Sequence, residues 1–236
     1  MEIMITPAEL AQGQMTDEHL AQAIKAVRVD GFVVLADVIA HVHLDQLRER
    51  MDADSQILIK AQKWGGAGEI PGHLQQGPPP FAPYVFRDIV ANPFAIQVTK
   101  AILGEGAYNR FYNGNANCPG SGTQPLHGDM PHLWQDMTHA HPTASLVVNV
   151  SLVDVTEENG ATELWPGTHL IPVNRGPIAA TLDDEAQHIL FTLGQLLKRR
   201  KGYLMDQGAL RSRMQRGFAA YGSANGLQKV RLEHIF

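Results

Sequence analysis

His127 and Asp129 stand two residues apart in the segment QPLHGDMPHLW. In an extended strand, side chains at i and i+2 leave the same face. A neutral imidazole and a carboxylate so placed can converge on one metal ion. With one more histidine they would form the two-histidine, one-carboxylate set that holds ferrous iron and leaves positions open for a cosubstrate and O₂. His-x-Asp alone arises often by chance, so its weight depends on the segments around it. A second polar array lies upstream. Asn113, Asn115 and Asn117 alternate in YNGNANC, so a strand there presents three amides on one face, either to solvent or along a pocket. His132, His139 and His141 follow the His-x-Asp segment and read as surface or substrate-side residues at the mouth of the site. Phe86 and Trp134 are candidate apolar walls, with core packing as the competing role.

Positioning such groups requires strands, and the second half of the chain supplies them. ASLVVNVSLV, residues 144–153, has high β-propensity and no helical period. The turn-forming Glu158-Asn159-Gly160 then leads to GATELW, which predicts an antiparallel hairpin. GYLM, from Gly202, reads as a further short strand, and the tail SANGLQKVRLEHIF lacks an alternating apolar pattern. The first half is helical. Thr16 caps a helix whose apolar residues Leu20, Ala23, Ile24 and Val27 repeat at helical spacing until Gly31. GFVVLADVI reads as a buried strand, and Leu44, Leu47 and Met51 mark a second amphipathic helix. Residues 64–83 are too rich in Gly and Pro for regular structure, and a loop of that length is often a lid or binding loop. Asn92 and Pro93 open another helix, which ends at Gly104. LDDEAQHILFTLGQLLKRR has helical spacing late in the chain. Helices first and antiparallel strands after argue for a mainly β fold with helices (α+β), a β-sandwich or jelly-roll barrel braced by N-terminal helices, and against an alternating parallel sheet.

The composition fits one globular domain spanning 1–236. Apolar residues make up 44% and charged residues 18%, with a net charge of −5. The longest basic run is Lys198–Lys201, so nucleic acid and anionic membrane surfaces are not expected partners. Cys118 is the single cysteine. Its isolation excludes an internal disulfide and suits a reducing, cytoplasmic setting. The N-terminal stretch lacks the charge and apolar core of a secretory leader, and no apolar run approaches the ~18 residues of a membrane span.

Three segments together, DGFVVLADV from Asp30, QPLHGD, and VTEENGATELWPGTH, resemble the phytanoyl-CoA dioxygenase family of Fe(II)/2-oxoglutarate oxygenases. The resemblance spans residues 17–170. It implies a double-stranded β-helix, or jelly-roll, core that binds one Fe(II) and 2-oxoglutarate. It also makes His127 and Asp129 the first two iron ligands. Asp129 favours hydroxylation, because halogenating relatives carry a small residue there. Asn113, Asn115 or Asn117 would orient 2-oxoglutarate. The expected partners are O₂ and a small, hydrophobic organic substrate, with no nucleic acid and no membrane insertion.

The chain departs from the family pattern near its end. Lys201-Gly202-Tyr203 and Asp206 fit, but Gln215-Arg216-Gly217 stands where His-Arg-Gly is expected. The third ligand is therefore open among Gln215, His169, His188 and His234, and Arg211, Arg213 and Arg231 compete as the cosubstrate's anchor. A catalytically impaired jelly roll that binds a small molecule is the alternative reading.

Overall fold

In the computed structural model, residues 1–65, 70–122 and 139–170 are described in full, with the backbone of 202–206, 213–214 and 227–231. The chain opens with strand β1 (Glu2–Met4) and helix α1 (Pro7–Gln12). Thr6 and Glu9 cap α1 reciprocally, and Gly13 ends it in a left-handed conformation. Helix α2 (Asp17–Asp30) begins at Thr16, whose side chain accepts from the His19 N–H. It stops at Gly31, with φ 86°. Both ends lie where the sequence places them. Strand β2 (Phe32–Ala36) is buried at every position, which matches its unbroken apolar run.

Helix α3 (His41–Lys60) is longer than its sequence signals suggest, and Ala40 gives it no side-chain cap. The cap comes from a distant element instead. Asp88, in helix α4 (Arg87–Val90), accepts from the Ala40 N–H at 3.0 Å and from the His43 ring at 2.8 Å. A carboxylate beside a helix N-terminus also meets the positive end of the dipole. Helix α5 (Pro93–Leu103) starts at Asn92 and stops at Gly104, as expected.

Strand β3 (His73–Gln75) interrupts the stretch expected to be loop throughout. It is an edge strand, paired antiparallel with β4 (Phe111–Asn117). Strand β5 (Leu146–Ser151) lies inside the segment that propensity marks. The remaining strands are β6 (Thr162–Glu163), β7 (Gly202–Asp206), β8 (Arg213–Met214) and β9 (Leu227–Arg231). The main sheet has the order β1-β2-β7-β5-β9-β4-β3, and β6 pairs with β8 in a second ladder. Among the described strands only the β1–β2 pair is parallel.

Two expectations are corrected. No hairpin joins β5 to GATELW: β5 pairs with β7 and β9, and β6 with β8. A single 3-10 turn at Glu157–Asn159 and a left-handed Gly160 carry the chain from one sheet to the other, the alternation that defines a jelly roll. The tail also contributes a strand, since β9 sits between β5 and β4. Its central position supplies backbone partners on both sides, which offsets the weak apolar pattern. The fold is thus mainly β with bracing helices. Among the described residues the strands form two sheets and no closed barrel.

The helices cover one face of the main sheet. Val33, Leu35, Leu146, Val148 and Val150 join Leu44, Leu47, Phe94 and Val98 in one core. Burying each such Val, Leu or Phe contributes about 1.5–3 kcal/mol relative to exposure. Gln76 ties α3 to this face, accepting from the Ser55 hydroxyl and donating to the Met51 carbonyl at 2.8 Å. The other face is left for chemistry.

Candidate cosubstrate and metal site

Alternation puts Asn113, Asn115 and Asn117 on the face of β4 that points away from the helices, since Tyr112 and Ala116 pack on the helical side. Paired residues on antiparallel strands share a face, so the same surface collects His73 and Gln75 from β3. From β5 it takes Val147, Asn149 and Ser151, which alternate with the core residues Leu146, Val148 and Val150. The backbone of β9 runs between, with Asn113 and Asn149 level with Lys229 and with Asn115 and Ser151 level with Leu227. Asn113 and Asn115 are half-buried, while His73, Asn117, Asn149 and Ser151 are buried. The polar row therefore lies largely under cover.

Asn117 is the most enclosed, with 0% exposure. Its Nδ2 donates to the Gly160 carbonyl at 3.2 Å, binding the end of β4 to the turn before β6. Its Oδ1 is buried with no hydrogen-bond partner among the described residues. An orphaned buried acceptor costs about 1–3 kcal/mol, and a primary amide also keeps a second N–H available. One donor and one acceptor on Asn117 are thus uncommitted. The Ser121 hydroxyl, four residues on, is likewise buried and unpartnered among the described residues. Gly72 lets it approach, because a Cβ at Gly72 would come within 2.7 Å of the Ser121 Cβ.

His73 was not singled out by its sequence context. It is buried opposite Asn117 and donates from Nε2 to the Gly122 carbonyl at 2.8 Å. Burial pushes its pKa below the ordinary imidazole value, against the effect of the Gly122 carbonyl. The flanking Gly and Pro residues hid this three-residue strand. Cys118 points to the helical side with Leu74 and Ala116, and burial pushes its thiol up, so it is neutral and unreactive.

His169 is held by the end of α2. It is buried, and its Nε2 donates to the Arg28 carbonyl at 3.0 Å in the last turn of α2. The Gly167 N–H donates to the Asp30 carbonyl at 3.0 Å. Pro166–His169 thus satisfies carbonyls that a helix end leaves open, and His169 is seated against α2 through Nε2, with its buried Nδ1 unpartnered among the described residues. The ring rests on Gly31, where an added Cβ would meet Nδ1 at 2.9 Å. Phe86 stacks on His43 with centroids 4.2 Å apart and packs against the main core. His139 is exposed and His141 half-buried, in keeping with a peripheral position.

His127, Asp129, His132, Trp134, His188, Arg211, Gln215 and His234 lie outside the described residues, as does the helix expected over LDDEAQHILFTLGQLLKRR. Of the arginines considered as anchors, Arg213 falls in β8 and Arg231 in β9 at the centre of the main sheet. Among the described residues, no group of three His, Cys, Asp or Glu could hold a metal ion, and no helix is long and apolar enough to cross a membrane.

The sequence profile of the phytanoyl-CoA dioxygenase (PhyH) family matches residues 27–217. The chain belongs to this family. The dioxygenase af480 of Aspergillus fumigatus is 28% identical over 123 residues, 47% of this chain and 37% of that protein. The chain therefore spans little more than a third of that relative. HygX from Streptomyces hygroscopicus, solved with nickel and 2-oxoglutarate bound, superposes with a TM-score of 0.58 at 15% identity, covering 94% of this chain and 88% of its own. EctD from S. alaskensis, solved with bound Fe, gives 0.56 at 17% identity, covering 93% and 79%. At these identities the likeness establishes the jelly-roll fold.

Proposed function

We propose that this chain is a single-domain, cytoplasmic Fe(II)- and 2-oxoglutarate-dependent dioxygenase that hydroxylates, or otherwise oxidises, a C–H bond of a small hydrophobic molecule. The observation that carries the reading is the buried amide of Asn117, with one donor and one acceptor uncommitted on a covered polar face. A carboxylate cosubstrate needs N–H donors in a site shielded from water. Family membership and the nickel, iron and 2-oxoglutarate bound in the structural neighbours support the same assignment.

His127 and Asp129 would hold the metal, since an imidazole and a carboxylate suit ferrous iron and the anion partly neutralises the dication. When bound, iron with 2-oxoglutarate and O₂ supplies the oxidising power that turns C–H into C–OH, with succinate and CO₂ as coproducts. The protein's part is placement. Asn117, fixed by the Gly160 carbonyl, would offer its remaining N–H to the cosubstrate carboxylate, with Asn113 and Asn115 along the same strand. Phe32, Val34 and Val147, buried on the same face, keep water from these bonds. His73 braces the segment leading to QPLHGD through Gly122.

Anaerobic addition of Fe(II) and 2-oxoglutarate should produce a weak visible charge-transfer band, and with O₂ and substrate, succinate. Gln215-Arg216-Gly217 in place of His-Arg-Gly favours a second reading, an impaired enzyme that keeps only the binding function. That reading predicts no band and little retained iron.

A further inference from the structure

We infer that His169 is a positioning residue for the cosubstrate, acting through Gly160 and Asn117; this deepens the oxygenase reading and rests on it. Two anchors hold the eleven residues from Gly160 to Leu170. At one end the Gly160 carbonyl accepts from Asn117 Nδ2 at 3.2 Å, and the Ala161 N–H donates to the Thr156 carbonyl at 3.0 Å. At the other, the Gly167 N–H and His169 Nε2 each donate at 3.0 Å to the last turn of α2. Between them, β6 and the buried Leu164 leave the segment little slack. The Gly160 carbonyl is the only hydrogen-bond partner of the Asn117 side-chain amide among the described residues, so its position sets how the amide is turned.

His169 is far from β4 in sequence and touches no polar group of the amide row among the described contacts. It is seated on α2, with its ring against Gly31 and its Nε2 on the Arg28 carbonyl. Removing that donor leaves a helix carbonyl open and that end of the segment held by the Gly167 N–H alone. The loosened segment then gives the Gly160 carbonyl, and with it the Asn117 amide, more freedom to turn. The expected effect falls on cosubstrate binding more than on turnover.

The test compares the wild type with His169→Ala and His169→Gln, measuring 2-oxoglutarate affinity by the anaerobic band, KM for 2-oxoglutarate, kcat, and unfolding midpoint. His169→Ala should weaken 2-oxoglutarate about tenfold, the equivalent of one buried hydrogen bond, with kcat changed less than about twofold. His169→Gln keeps an amide N–H within reach of the Arg28 carbonyl and should recover most of that loss. A double-mutant cycle with Asn117→Ala separates this role from general destabilisation. If His169 acts through Asn117, its substitution should have no further effect on 2-oxoglutarate in the Asn117→Ala background. If His169→Ala does not fold, His169→Gln and His169→Asn enter the same cycle. A lowered unfolding midpoint with unchanged 2-oxoglutarate affinity, or full additivity in the cycle, overturns the inference and leaves the oxygenase reading standing. A wild type that binds no 2-oxoglutarate overturns both.

Discussion

Replacing Gly31 by alanine should be among the most damaging single-methyl changes in the chain. Two independent costs meet there. With φ at 86°, the backbone is left-handed, which costs a residue with a Cβ about 1–2 kcal/mol. The added Cβ would lie 2.9 Å from His169 Nδ1, 3.2 Å from Cγ and 3.4 Å from Cε1, so the buried ring must move. Moving it breaks the bond to the Arg28 carbonyl, a further loss of about 0.5–1.5 kcal/mol. Together these give about 1.5–3.5 kcal/mol, a large part of the 5–15 kcal/mol that holds a typical domain together. Gly13→Ala is the matched control. Gly13 also ends a helix in the left-handed region, at φ 64°, but its Cβ would meet only Pro93 at an ordinary 3.7 Å. Urea unfolding followed by far-ultraviolet circular dichroism should show Gly31→Ala more destabilised than Gly13→Ala by about the value of the lost hydrogen bond. Equal losses would mean that the ring is not held against α2, and the account of Pro166–His169 as a helix clamp would fail.

Other outcomes follow from the same geometry. Burial disfavours the Glu9 charge, but N–H donors from Thr16 and Thr6, the Thr6 hydroxyl and the His19 ring outweigh it and lower its pKa from 4.5 to about 2. A lowered carboxylate pKa adds stability above the unfolded value and loses it as pH falls through the folded one. The urea midpoint of the wild type should therefore drop between pH 4.5 and about 2, and Glu9→Gln should remove this group's share of the slope in that window. Asn117→Ala should weaken 2-oxoglutarate by about tenfold or more in a binding titration, the loss of a charge-assisted hydrogen bond. Gln215→His should raise Fe(II) affinity in a chelator competition, since an imidazole is a better ferrous ligand than an amide; unchanged affinity would show that position 215 does not face the metal.

The helical half was legible because its punctuation is local. Thr16 and Gly31, and Asn92 and Gly104, bracket their helices within one turn of chain. The start of α3 was not, because its cap is Asp88, a residue brought by folding. The strand partners were equally hidden. Glu158-Asn159-Gly160 signals a reversal, and a reversal occurs, but local residues cannot say that the chain changes sheets there. At the candidate site, the alternation of Asn113, Asn115 and Asn117 gave the shared face directly. Which amide is buried depends on Gly160, far along the chain. His73 and the work of His169 emerge only from tertiary contacts, for a lone histidine carries no periodic signal.

The place of β9 bears on how the molecule assembles. Leu227–Arg231 must slide into a slot whose walls, Phe111–Asn117 and Leu146–Ser151, are made much earlier. Until it arrives, those two walls have no ladder between them, and the amide-bearing edge is joined to the helices only through contacts such as those of Gln76 and Leu74 with α3. Sheets closed by such distant pairings form slowly. The cosubstrate cradle is accordingly among the last parts of the protein to come into being, and a chain cut before Leu227 would keep its helices while leaving that cradle unbuilt.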